Sequence, residues 1–93
     1  MRVRLTASAE ADLERIGDRL AEADPERARL VVRGLRAAAA SIGGAPYISS
    51  PVPTAPGIRK KSFRPYLLLY AIRGSEVLIL RLAHERSDWV SLV

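Results

Sequence analysis

Three strand-like runs follow one another near the end of the chain, with no room between them for a helix. They cover about Ile58–Phe63, Tyr66–Arg73 and Glu76–Ala83. The breaks between them, Arg64-Pro65 and Gly74-Ser75, are two residues long, and connections this short join antiparallel neighbours. The third run, read on as VLILRLAH, is apolar at nearly every position, which is typical of a central strand covered on both faces. The chain is therefore predicted to end in an antiparallel sheet.

The first half of the chain supplies a strand and two amphipathic helices. Val3 and Leu5 alternate with arginines, as in a half-buried strand. Asp24 and Pro25 are suited to cap and open a second helix, so the connection between the two helices is very short. The apolar stripes with helical spacing are Ala9, Leu13, Ile16 and Leu20 in the first helix, and Ala28, Val31, Val32, Leu35, Ala38, Ala39 and Ile42 in the second.

The resulting order, β-α-α-β-β-β, predicts an α+β fold in a single domain, residues 1–93. The helix hairpin is expected to pack on one face of a small, mostly antiparallel sheet. Residues 44–57, which hold four prolines, are expected to form a loop across the surface. A chain of 93 residues has no second layer to cover the other face of the sheet. That face must be covered by the tail of the chain or by a partner.

The composition excludes several classes of protein. The chain has no cysteine and one histidine, His84, which rules out a disulfide framework, a thiolate metal site and a histidine zinc cluster. No apolar run reaches the roughly 18 residues of a membrane span. We therefore expect a soluble, cytoplasmic protein that needs neither a metal nor a cofactor.

Positive charge is concentrated after residue 26. Residues 1–26 hold seven acids and four basic residues, whereas residues 27–93 hold eleven basic residues and three acids. Most of the excess is arginine, which binds carboxylate or phosphate with two hydrogen bonds. A basic surface favours an acidic protein segment or a nucleic acid as partner. The same excess also arises, without any such role, from codon usage rich in arginine and alanine.

Several short motifs, in this order, resemble the ParE/RelE superfamily of bacterial toxins from toxin–antitoxin pairs. They span nearly the whole chain. They are A-x-x-DL-x-x-I at Ala9–Ile16, P-x-x-A at Pro25–Ala28, G-x-R at Gly57–Arg59, Y-x-x-x-Y at Tyr66–Tyr70, and V-x-I-L-R-x-x-H-x-R-x-D at Val77–Asp88.

The resemblance implies a toxin made together with a small antitoxin, whose C-terminal segment folds as it wraps the toxin. Such a segment would cover the open face of the sheet. Leu67, Leu69 and Trp89 are then expected to be exposed partner surface. The alternative is that the tail itself covers them.

Two activities occur in this superfamily: RelE-like members cleave messenger RNA on the ribosome, and ParE-like members inhibit DNA gyrase without cutting RNA. Cleavage needs a base, an acid and cations at the phosphate. His84, Glu85 and Tyr70 are the candidates for proton transfer, and Arg81 is a candidate cation. The nuclease branch, however, typically has arginine where this chain has Leu67, and a tyrosine where it has Glu85.

The resemblance therefore favours a ParE-like gyrase inhibitor that is not an enzyme and is neutralised by a cognate antitoxin. Two alternatives remain open: a RelE-like ribosome-dependent endonuclease, and an inactive toxin remnant that only binds antitoxin.

Contact with the target or the antitoxin is assigned to the basic residues and to the tail, whereas two further residues are given structural roles. Arg59 is expected to bridge Asp12 on the first helix, and His84 to hydrogen-bond a carbonyl or carboxylate at a strand end. Direct binding of nucleic acid is not expected to be the primary function, because Phe63 alone does not make a stacking platform. The contact candidates are Lys60, Lys61, Arg64, Leu67, Leu69, Arg81, Arg86 and Trp89.

Overall fold

The computed structural model describes residues 1–93. The elements are β1 (Arg2–Leu5), α1 (Ala7–Ala21), α2 (Pro25–Ile42), β2 (Ser50–Pro51), β3 (Ile58–Phe63), β4 (Tyr66–Arg73) and β5 (Glu76–His84), followed by a 3-10 turn, Trp89–Leu92. We call this last element the tail turn. The predicted α+β fold is confirmed, and the three last strands lie where the sequence placed them, with one residue more at the end of β5.

Local sequence sets the ends of the helices. The Thr6 hydroxyl accepts a hydrogen bond from the Ala9 amide at the start of α1, and the Asp24 carboxylate accepts one from the Arg27 amide at the start of α2. Pro25 occupies the first turn of α2, where its missing amide proton costs nothing. Between β4 and β5, Gly74 adopts a φ of 61°, which permits the tight turn.

The five strands form one sheet in the order β1-β5-β4-β3-β2. β2, β3, β4 and β5 pair antiparallel, whereas β1 runs parallel to β5. The predicted central position of β5 is confirmed, since β1 and β4 flank it. β2 lies inside the predicted 44–57 loop and was not expected, because a two-residue strand containing proline carries no periodic signal.

The helices pack on one face of this sheet, as predicted. Ten buried residues form the core between them: Ala9, Leu13, Leu35, Ala39, Ile42, Leu68, Tyr70, Val77, Ile79 and Leu82. The contact between α2 and β3 is close, because a Cβ atom at Gly34 would lie well inside van der Waals distance of the Phe63 ring. Phe63 packs against this core.

The tail turn covers part of the opposite face. It contacts β5, and the Trp89 ring lies 5.1 Å from the Lys60 ammonium on β3. Because β4 lies between β5 and β3, the contact between Lys60 and Trp89 spans the width of β4. Leu67 and Leu69 on β4 are 6% and 0% exposed. Their predicted exposure is therefore wrong, and the tail turn lies on the side of the sheet to which these two side chains belong.

Loop residues also contribute cover near the start of β3. Val52 and Ala55 are buried. Two hydrogen bonds hold their segment to Ile58: its carbonyl accepts from the Val52 amide at 2.8 Å, and its amide donates to the Ala55 carbonyl at 3.0 Å. None of the helices is long and apolar enough to cross a bilayer.

Candidate functional site

The free edge of β5 is closed by side chains from the start of α1. β1 pairs with β5 only as far as Ile79, whereas β5 continues to His84. Beyond that point the Thr6 hydroxyl donates to the Leu80 carbonyl at 3.0 Å, and the Asp12 carboxylate accepts from the Leu82 amide at 2.9 Å. These bonds satisfy an edge that would otherwise be open to pairing with another strand.

Asp12 is the buried charged residue of the molecule, and its partner is Arg81. Arg81 donates to the two carboxylate oxygens at 2.8 and 3.0 Å, and Arg15 also bonds this carboxylate. Burial alone raises the pKa of Asp12, but the hydrogen bonds from Arg81 and Leu82 and the two nearby positive charges outweigh it. The pKa therefore lies below its ordinary value of 3.8.

The predicted Arg59–Asp12 bridge is wrong. Arg59 donates to the carbonyls of Tyr47 and Ser49 at 3.2 and 2.7 Å, and its guanidinium lies 5.3 Å from the centre of the Tyr47 ring. The reason is the order of the strands. Arg59 is on β3, whereas Asp12 lies against β5, and β4 separates the two.

The residues considered for proton transfer are held in structural contacts. His84 Nδ1 accepts a hydrogen bond from the Arg86 amide at 3.1 Å, and its ring packs edge-on against Tyr66, with 5.7 Å between the ring centres. The predicted position at a strand end is confirmed, but the hydrogen-bond partner is an amide rather than a carbonyl or carboxylate. Glu85 pairs with Arg64 at 3.2 Å.

Tyr70 and Arg81 are also held in structural contacts. Tyr70 is fully buried, and its hydroxyl donates to the Pro46 carbonyl at 2.7 Å. Arg81, which was both a contact candidate and a candidate cation, forms the ion pair with Asp12. The pKa of Arg81 is raised by its hydrogen bonds to that carboxylate. No pair of free proton-transfer groups is brought together.

The remaining contact candidates lie around the hairpin that joins β3 to β4 and around the tail turn. The Arg64 side chain is 79% exposed although it pairs with Glu85, and Arg86 is exposed. Lys60 and Trp89 form a cation–π contact. Val90, Leu92 and Val93, next to Trp89, expose apolar side chains. The structure thus combines cations with an exposed apolar tail on the tail side of the sheet.

Two features could not be read from the sequence. Tyr47 and Ile48 are 63% and 84% exposed beside Arg59, in a loop where isolated apolar residues gave no indication of exposure. Arg15, which follows Asp12 by three residues on α1, also pairs with the carboxylate that Arg81 binds. Nowhere do three or more His, Cys, Asp or Glu side chains converge as a metal site would require.

The surface has two open grooves, and α1 contributes to the lining of both. One, of about 580 Å³, lies along α1 and is bordered by Val32 and Arg36. The other, of about 690 Å³, lies between the second half of α1 and the β3–β4 turn, where it meets Pro65 and His84.

Comparison with known proteins agrees with this architecture. No curated protein matches the chain. A solved structure from a chromosomal ParDE TA system of P. aeruginosa superposes with a TM-score of 0.75, covering 90% of this chain and 95% of that chain at 23% identity, and this likeness shows a shared fold. A family model describing the ParE toxin of the type II toxin–antitoxin system parDE matches residues 3–89. The chain therefore belongs to the ParE toxin family of type II toxin–antitoxin systems.

Proposed function

We propose that this chain is a toxin that inhibits DNA gyrase when free and is neutralised when a cognate antitoxin binds it. The observation that carries the proposal is the family match over residues 3–89. The contacts of the groups suited to RNA cleavage also support it, because His84, Glu85 and Arg81 each form a structural hydrogen bond or ion pair. The proposed mechanism is binding without covalent chemistry or a cofactor, in the cytoplasm where gyrase acts.

The antitoxin is proposed to bind on the tail side of the sheet. This side combines the cation Lys60 with the exposed apolar side chains of Val90, Leu92 and Val93, and the exposed Arg86 precedes Trp89 by three residues. An acidic antitoxin segment would be steered to the cations, so its association rate should fall as salt rises. Apolar contact with the tail would then supply most of the affinity.

The direct test measures gyrase supercoiling of relaxed plasmid with and without the purified chain, scoring both lost supercoiling and trapped linear DNA. Inhibition together with linear DNA supports the proposal, and adding purified cognate antitoxin should restore supercoiling. A gyrase that works unimpeded at a large excess of the chain rules out gyrase as the target.

A matched pair of variants separates binding from RNA cleavage. His84→Ala with Glu85→Ala should leave gyrase inhibition within a few-fold of wild type, because neither residue acts as a catalyst in the proposed mechanism. If the chain instead cleaves messenger RNA on ribosomes, and this double variant loses that activity, the RelE-like alternative holds. Harmless overexpression with tight antitoxin binding would identify an inactive remnant.

A further inference from the structure

The loop between α2 and β2 holds two adjacent apolar side chains in solvent. Ile48 is 84% exposed, which is the largest exposed fraction among the large apolar side chains, and Tyr47 beside it is 63% exposed. Single exposed apolar residues are ordinary on protein surfaces, whereas adjacent ones form a patch. We call Tyr47 and Ile48 the loop tip.

The backbone just before the loop tip is fixed to the core. Tyr70 is fully buried, and its hydroxyl donates to the Pro46 carbonyl at 2.7 Å. The Ile48 amide donates to the Ala45 carbonyl at 3.3 Å. The loop is therefore anchored to the centre of β4 one residue before its apolar side chains leave the surface.

Arg59 fixes the backbone at the loop tip and just after it. Its guanidinium donates to the carbonyls of Tyr47 and Ser49 at 3.2 and 2.7 Å, and it lies 5.3 Å from the centre of the Tyr47 ring. The next residue, Ser50, already pairs with Lys60 as the first residue of β2. The loop tip is thus a rigid projection whose side chains stay in water.

A rigid projection is suited to a folded partner. Because its backbone is already ordered, it loses little conformational entropy on binding. Tyrosine and arginine, here Tyr47 and Arg59, are enriched among the residues that supply most of the binding energy at interfaces. A segment that folds on binding instead lies along grooves and faces of its partner. The shape of the loop tip therefore indicates a preformed apolar pocket on a folded protein.

The charge next to the loop tip indicates an acidic rim around that pocket. The chain has no acid between Arg27 and Ser75. Arg59 bonds only to carbonyl oxygens and forms no ion pair, so its positive charge is not neutralised within the chain. A complementary surface would place carboxylates there.

The loop tip lies away from the surface assigned to the antitoxin. Arg59 is paired in register with Tyr70, whose ring belongs to the core under the helices, so the Arg59 side chain is on the helix side of the sheet. Lys60, the next residue, lies against Trp89 on the tail side.

We propose that the loop tip is the contact with the target protein, where Tyr47 and Ile48 enter an apolar pocket with an acidic rim. Because this rests on the proposed function, the target is DNA gyrase.

The test compares Ile48→Asp with the wild-type chain in the supercoiling assay and, in parallel, in growth arrest on expression. Aspartate removes the apolar contact and adds a charge that an acidic rim repels, so the concentration for half-inhibition should rise about 10-fold or more. Affinity for the cognate antitoxin should stay unchanged. The matched control is Leu30→Asp on α2, where the replaced side chain is 57% exposed, and this variant should inhibit like the wild type.

Tyr70→Phe tests the rigidity of the loop tip separately. It removes the hydroxyl that holds Pro46 and leaves both exposed side chains in place. The Ile48 amide should exchange with solvent deuterium faster than in the wild type, and inhibition should weaken by a few-fold. Circular dichroism confirms that the three variants are folded.

Four outcomes overturn the proposal. They are equal inhibition by the wild type and Ile48→Asp, an equal loss in Leu30→Asp, a matching loss of antitoxin affinity, and light scattering that finds a wild-type dimer but an Ile48→Asp monomer, which would make a second copy the occupant. The first of these leaves gyrase inhibition standing. If the wild type arrests growth without affecting gyrase and Ile48→Asp does not arrest it, the gyrase proposal fails and the loop tip remains the contact with another target.

Discussion

One face of the sheet is covered by two helices of 15 and 18 residues, whereas part of the other is covered by a tail turn of four. The helix side encloses a core of ten buried residues, with side chains from both helices and from the two strands β4 and β5 interlocked. The tail side buries Leu67 and Leu69, but Val90, Leu92 and Val93 on the cover itself remain exposed. The helix side has the packing of a permanent core, and the tail side has the composition of a binding surface.

Adjacent residues on β4 test this difference most strongly, since Leu68 belongs to the helix side and Leu67 to the tail side. Their side chains are 0% and 6% exposed. Leu68→Ala leaves a cavity that two fixed helices cannot close, so we expect the free energy of unfolding to fall by about 3–5 kcal/mol. Leu67→Ala should cost about 2 kcal/mol or less, because the tail turn can settle into the space.

Urea denaturation of the two variants, followed by circular dichroism, measures both values. Equal losses would mean that the tail side is packed as firmly as the helix side, and would remove the basis of the comparison. The slope of the transition should stay unchanged in both variants, since neither alters the surface exposed on unfolding.

The Asp12 ion pair gives the next largest effect, because it fixes the helix side to the edge of β5. Asp12→Ala leaves the Leu82 amide without its acceptor and Arg81 without its partner, and we expect a loss of about 2–4 kcal/mol. Asp12→Asn should lose less, since its side-chain oxygen still accepts from Leu82. Glu10→Ala is the control, as it breaks the exposed pair with Arg36 and should cost less than about 1 kcal/mol.

Acid should have the same effect as removing Asp12. Its pKa is depressed in the folded protein, so its contribution is complete above the unfolded value of about 3.9 and is lost as pH falls through the lower folded value. Unfolding free energies measured from pH 7 down to pH 2 should therefore fall more steeply below about pH 4 for the wild type than for Asp12→Asn. Parallel curves for the two proteins would contradict this assignment.

The sequence was sufficient where a local pattern determines the structure. The stripe from Ala28 to Ile42 predicted α2, and the two-residue breaks predicted the β3–β4–β5 order. It failed where distant segments meet. Arg59 and Arg81 are equally plausible partners for Asp12 until the strand order places Arg59 across β4 from it. The burial of Leu67 and Leu69 likewise could not be predicted, because the tail turn on their side of the sheet has no periodic signal.

Gly34 tests how tightly the helix side is packed. A methyl group there would meet the Phe63 ring, and overpacking of this kind costs about 1–3 kcal/mol. Alanine also gains up to about 1 kcal/mol of helix propensity, so Gly34→Ala should lose about 1–2 kcal/mol overall. The control is Gly44→Ala, whose Cβ would lie 3.7 Å from the Ser41 carbonyl, an ordinary contact that should change stability by less than about 0.5 kcal/mol.

Trp89 tests the thin cover itself, and its removal should have the smallest effect on stability. Trp89 lies over Lys60 on a half-exposed surface, so Trp89→Ala should lose about 1 kcal/mol through the cation–π contact and part of its apolar burial. The variant should nevertheless expose Leu67 and Leu69. A hydrophobic fluorescent dye should therefore bind more strongly to the variant than to the wild type under conditions in which both proteins are fully folded. A loss above about 3 kcal/mol would show that the tail turn is part of the permanent core. If stability falls only slightly and dye binding rises, the tail turn is a weakly held cover, which a partner could replace without unfolding the helix side.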